Sequence, residues 1–77
     1  MKIKLISFGK IAEFLDEQQL DLKDIHDTNQ LQSHLEKAFP QLTTLKYKLA
    51  INKTLVQENT ILNNGDTVAI MPPFSGG

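Results

Sequence analysis

The sequence predicts an α+β domain: a mixed sheet of about five strands with one main helix packed on one face. Three observations predict it. Apolar residues alternate with period two near both ends of the 77-residue chain, the pattern of half-buried strands. One stretch between them carries apolar residues at helical spacing. Asn52-Lys53 and Asn63-Asn64-Gly65-Asp66 supply turn signals that cut the remaining chain into short strands.

The elements follow in order. Lys2–Phe8 reads as a strand, with Ile3 and Leu5 on one face and Lys2, Lys4, Ile6 and Phe8 on the other. Gly9 breaks it, and Lys10–Leu15 forms one or two helical turns with Ile11, Phe14 and Leu15 inward. Gln18–Leu22 is a short second strand, antiparallel to the first, with Leu20 and Leu22 inward. Asp27, Thr28 and Asn29 are N-cap candidates ahead of a stripe of Leu31, Leu35, Ala38 and Phe39, on a helix that Pro40 ends. Gln30, Gln32, Ser33, Glu36 and Lys37 form its solvated face. After a loop, Lys48–Ile51 is a third strand that turns through Asn52-Lys53 into Thr54-Leu55-Val56. Thr67–Met71 is the last strand, with Val68 and Ile70 inward.

Chain length allows one small core. With the first and last strands central and adjacent, they must run parallel while the hairpins run antiparallel, which is the β-grasp arrangement. The helix stripe would then close over Ile3, Leu5, Leu20, Leu22, Leu49, Ile51, Val68 and Ile70. Alternation leaves Ile6, Phe8, Ala69 and Met71, with Leu55 nearby, on the opposite face, an apolar patch of the kind found at partner interfaces.

The chain ends Pro72-Pro73-Phe74-Ser75-Gly76-Gly77. Two prolines lack N–H groups, so a central strand stops there. The reading is a domain over residues 1–71 and a tail over residues 72–77 that leaves it. A terminal carboxylate on Gly76-Gly77 suits a catalytic channel too narrow for any Cβ, which makes Gly77 the candidate for carrying the chemistry.

Composition removes other classes. The formal charge is −1 with scattered lysines, so nothing marks a nucleic-acid or anionic-membrane surface. The opening Met1–Ile6 is too quickly polar for a secretory signal, and no run is long enough to span a membrane; a cytoplasmic protein is expected. There is no cysteine, which removes thiolate metal sites and cysteine nucleophiles. His26 and His34 stand apart from any metal or catalytic spacing, and no metal site is expected.

The Asn63–Gly77 ending, the opening strand that closes on an aromatic, and Ala50–Val56 together resemble the small subunits of molybdopterin synthase. These are ubiquitin-like sulfur carriers with a β-grasp fold. Pro-Pro-x-x-Gly-Gly after a terminal apolar strand is the specific part of the resemblance, which covers the whole chain. It implies a carrier that is not an enzyme by itself and binds no cofactor. A ubiquitin-activating-like adenylyltransferase would use ATP and magnesium to adenylate Gly77, and a sulfur donor protein would then convert it to a thiocarboxylate. The tail, Pro73, Phe74, Ser75, Gly76 and Gly77, would enter the large catalytic subunit and deliver sulfur to cyclic pyranopterin monophosphate. The resemblance further implies a heterotetramer, catalytic residues on the large subunit, Phe74 packing at the tunnel mouth, and a partner interface at Phe8, Leu55 and Met71. Two other readings share the first chemical step: a thiamine-pathway sulfur carrier, and a protein modifier that joins Gly77 to a lysine. A plain interaction domain is the third.

Overall fold

Parallel pairing of the first and last strands organises the structure. The computed structural model describes residues 1–73; the expectations placed on Phe74, Ser75, Gly76 and Gly77 lie outside the described residues. Strand β1 (Lys2–Ser7) is followed by a 3₁₀ helix (Gly9–Glu13), β2 (Gln18–Asp21), helix α1 (Thr28–Ala38) and a second 3₁₀ helix (Pro40–Thr44). Strands β3 (Lys48–Ile51), β4 (Thr54–Leu55) and β5 (Thr67–Met71) complete the order. The sheet order is β2-β1-β5-β3-β4. Lys4 pairs with Thr67 and Ile6 with Ala69 in parallel register, while β1–β2, β3–β5 and β3–β4 are antiparallel. The β-grasp expectation is borne out.

Local chemistry explains these elements. Asp27 caps α1 by accepting from the Gln30 amide at 2.8 Å, and the Gln30 side chain in turn accepts from the His26 amide at 2.6 Å. The first bond occupies an amide that the first helical turn would otherwise leave without a partner, and the second ties the residue before the N-cap to that turn. The β3–β4 turn holds Asn52 and Lys53 at φ 49° and 73°, two successive left-handed residues whose twist matches the flanking strands.

One layer of apolar side chains lies between the sheet and α1. Ile3, Leu5, Val68 and Ile70 from the two central strands meet Leu31 and Leu35 from the helix, and all six are almost fully buried. Leu22 and Leu49 join them, as do Ile11 and Leu15 from the segment after Gly9.

Several details differ from the sequence reading. Ala38 is exposed: it is the last helical residue, its methyl is too short to reach the sheet, and half-buried Phe39 packs on the core in its stead. Leu20 and Ile51 are only half-buried, because β2 is an edge strand and Ile51 is flanked by the two-residue β4. The stretch after Pro40 is a 3₁₀ helix rather than a plain loop, and its Leu42 is buried. Glu36 is half-buried and accepts from the Tyr47 hydroxyl, so the solvated face of α1 is interrupted there.

Two polar stitches tie the remaining loops down. Asp66, 8% exposed, accepts from the Asn52 side-chain amide at 2.9 Å and the Asn63 backbone amide at 2.8 Å. Asn52 then accepts from the Thr67 amide at 3.0 Å, so one carboxylate locks both turns that border β5. At the start of α1, the buried Thr28 hydroxyl accepts from the Thr60 amide at 2.9 Å, and Asn59 accepts from the Asn29 amide at 2.9 Å. Among the described residues, no buried side-chain polar atom lacks a partner.

Candidate functional site

Among the described residues no helix or strand packs on the sheet face away from α1, and the register sets out what that face presents. One row across the strands reads Ile6, Ala69, Ala50, Leu55. The next places Met71 beside Lys48, and extending the parallel register by one residue puts Phe8 on the other side of Met71. Ala50 and Ala69 are small, so the sheet dips between larger neighbours. The result is a groove of about 480 Å³ lined by Ile6, Phe8, Ala50, Ala69 and Met71, with Asn52, Lys53 and Thr67 at one end.

Each residue singled out in the sequence can now be placed. Phe8 is 50% exposed, Leu55 41% exposed and Met71 half-buried. Phe8 and Met71 lie together in the groove wall. Leu55, one strand further out, lines instead the hollows on either side of β4. Ala50, Asn52 and Lys53 were not singled out, although the Asn52-Lys53 turn and the period of β3 carried the signal. A half-exposed Phe keeps roughly 100 Å² of ring for a partner to cover, taking a buried aromatic as worth 150–250 Å².

The end of β5 shows why the chain must leave the sheet there. The Phe8 amide donates to the Ile70 carbonyl at 3.0 Å. Pro72 has no N–H with which to continue the ladder. Its ring lies against Gly9, whose φ is +61°, and a Cβ built on Gly9 would stand 2.8 Å from Pro72 Cγ. Gly9 is therefore required twice over, by its left-handed backbone and by the proline above it. The Ser7 hydroxyl donates to the Leu15 carbonyl and pins the segment after Gly9 to the end of β1. Pro72 and Pro73 are half-buried.

Electrostatically the face is open. Lys48 and Lys53 are exposed. Lys4 lies 3.8 Å from Glu17, and Asp21 lies 3.7 Å from the N-terminal ammonium. Tyr47 is the titratable group whose surroundings perturb it most clearly among the described residues. Burial, reinforced by its hydrogen bond to Glu36, pushes the phenol well above the ordinary tyrosine value. It lies in the α1-to-β3 segment and serves the fold. Among the described residues, no group of three His, Cys, Asp or Glu could hold a metal ion, and no helix is long and apolar enough to cross a membrane.

Comparison with known proteins gives consistent results. The model of the ThiS family matches residues 5–77. A molybdopterin synthase sulfur carrier subunit from Chlamydomonas reinhardtii is 36% identical, with both chains covered in full. One from Mycobacterium tuberculosis is 27% identical, covering 100% of this chain and 99% of its own. Among solved structures, a complex of subunits 1 and 2 of the molybdopterin-converting factor from Helicobacter pylori contains a similar chain. It superposes with a TM-score of 0.74 at 24% identity, with all of both chains covered, a likeness of fold.

Proposed function

Because this chain belongs to the ThiS family, we propose that it is the sulfur carrier subunit of molybdopterin synthase and that Gly77 is the residue that carries sulfur. The observation that carries the reading is the juxtaposition at the end of β5. A half-exposed apolar wall of Phe8 and Met71 stands beside the point where Pro72 takes the chain off the sheet, a few residues before Gly76-Gly77. A docking face next to a departing tail is the geometry a carrier needs, since docking then delivers the terminus.

The chemistry follows from the terminus. A carboxylate is a poor acyl donor until one oxygen becomes part of a leaving group. An adenylyltransferase partner therefore joins the Gly77 carboxylate to AMP, using ATP with magnesium and releasing pyrophosphate. The outer sulfur of a donor protein's persulfide attacks the acyl adenylate and displaces AMP, and a second thiol then reduces the resulting acyl disulfide, leaving the thiocarboxylate and an oxidised disulfide. The large subunit receives the tail, Pro73 to Gly77, and supplies the acids and bases. Sulfur passes to cyclic pyranopterin monophosphate, water completes the return of Gly77 to the carboxylate, and two such deliveries build the dithiolene. The carrier makes no bond by its own side chains and works in a cytoplasmic complex of two small and two large subunits, with Phe8, Leu55 and Met71 on the contact face. The chain's lack of cysteine agrees with sulfur held on the terminus.

The test is the mass of the C-terminal peptide after incubation with the activating enzyme, ATP, magnesium and a sulfur source. A gain equal to sulfur replacing oxygen at Gly77 is expected, and deletion of Gly77 should abolish both that gain and sulfur transfer without changing the melting temperature. A Gly77 isopeptide on a target lysine would establish the modifier reading instead. A terminus that stays unmodified, or a tailless variant that still supports cofactor synthesis, would overturn the proposal.

A further inference from the structure

The protein carries a formal charge of −1, yet among the described residues the sheet face away from α1 is positive. Strand alternation puts Lys2, Lys4 and Lys48 on that face, and Lys53 stands at the groove end. Its carboxylates, Glu17 and Asp21, are already engaged by Lys4 and by the N-terminal ammonium. Among the described residues no carboxylate lies within ion-pairing distance of Lys48 or Lys53. Glu58 shares the hollow beyond β4 with Lys48 and does not pair with it.

Lys53 lines the apolar groove, and Lys48 stands just outside it, beyond the Met71 wall. Lys48 is the direct neighbour of Met71. Lys53 follows Asn52 in the turn at the opposite end, beyond the ~10 Å that β3 spans from Lys48 to Ile51. An ammonium at each end of an apolar trough disfavours a basic partner and favours one with carboxylates on both sides of an apolar insert.

Resting on the reading above, we propose that Lys48 and Lys53 are specificity determinants for the catalytic subunit. Its docking surface presents an apolar side chain to the Phe8–Met71 wall and a carboxylate to each lysine. Rim charges of this kind act mainly on the rate of encounter and on its salt dependence, whereas the apolar wall holds the complex once formed.

The test is the association of the intact carrier with its own catalytic subunit, followed at low and at high salt. Lys48→Glu/Lys53→Glu should slow association about tenfold at low salt, with the difference closing at high salt. Lys37→Glu, on the exposed side of α1, serves as the control and should change little. Phe8→Ala should speed dissociation and keep the wild-type salt dependence. If Phe8→Ala weakens the complex while the double reversal matches Lys37→Glu, the charge rim is wrong and the carrier reading stands. A double reversal that speeds association would mean a basic partner surface and would also overturn it. If neither Phe8→Ala nor the reversal has any effect, the groove is not the docking face and both readings fall.

Discussion

Asp66→Ala tests how much of the fold hangs on one carboxylate. The side chain is 8% exposed and accepts two hydrogen bonds, from Asn52 and from the Asn63 amide. Hydrogen bonds to a charged acceptor contribute about 1.5–3 kcal/mol each. Asn52 and Asn63 are themselves exposed, so water can take over part of what they lose, and the lower end applies. The expected loss is about 3 kcal/mol, or roughly 12–24 °C in melting temperature for a domain of this size. Asp66→Asn keeps one acceptor oxygen but turns an N–H toward an N–H donor, so it should fall near the midpoint. Denaturant unfolding followed by circular dichroism gives both values, with the slope unchanged if the native state is otherwise intact. Combining Asp66→Ala with Asn52→Ala should cost less than the sum of the two, because they share a bond. A loss of less than ~0.5 kcal/mol for Asp66→Ala, the range of ordinary surface changes, would refute the argument that Asp66 joins the two turns.

Three further outcomes follow from burial and titration. Leu5, fully buried between β5 and α1, should lose about 2–5 kcal/mol of stability on change to Ala. Phe8→Ala, three residues further on and just past the end of β1, should instead lose at least tenfold in affinity for the catalytic subunit and less in stability, as calorimetry and thermal melts would show; equal losses would make Phe8 a core residue. Tyr47 is the chain's only tyrosine, so tyrosinate absorbance reports on it alone. Its folded pKa is raised, so its contribution to stability is complete below the unfolded value near 10 and is lost as pH rises beyond it. Tyr47→Phe should remove that alkaline loss and cost about 1 kcal/mol at neutral pH; tyrosinate forming at the ordinary value in the folded protein would contradict the Glu36 contact.

Much of this was legible because period-two alternation is a local property. Ile3, Leu5, Ile6 and Phe8 were assigned to the correct faces from β1 alone, and Gly9 marked where the assignment had to stop. The groove followed once Thr67–Met71 was set parallel to β1, since Ala69 and Met71 then fall beside Ile6 and Phe8. What escaped depends on distance along the chain. Asp66 gains its role from Asn52, 14 residues earlier, and Thr28 from Thr60, 32 residues later. No period encodes such pairs. Ala38 had the right spacing and the wrong size, and Leu42 lay in a segment too short to show a stripe. Leu55 was assigned to the correct side of the sheet, but its distance from the groove wall reflects β4 being only two residues long.

The parallel pairing of β1 with β5 also decides where the molecule can be held. Because both strands run the same way, the amino terminus lies by the start of β5 and Pro72 follows at its finish, ~17 Å off for five residues of extended chain. Fusion or surface attachment through Met1 would thus leave the opposite pole clear. The ammonium there donates to the Leu22 carbonyl at 3.1 Å, and an amide N–H in a fused polypeptide retains one donor for that contact. Immobilised by its first residue, the protein would keep the Phe8–Met71 wall and the end of β5 on the side away from the support.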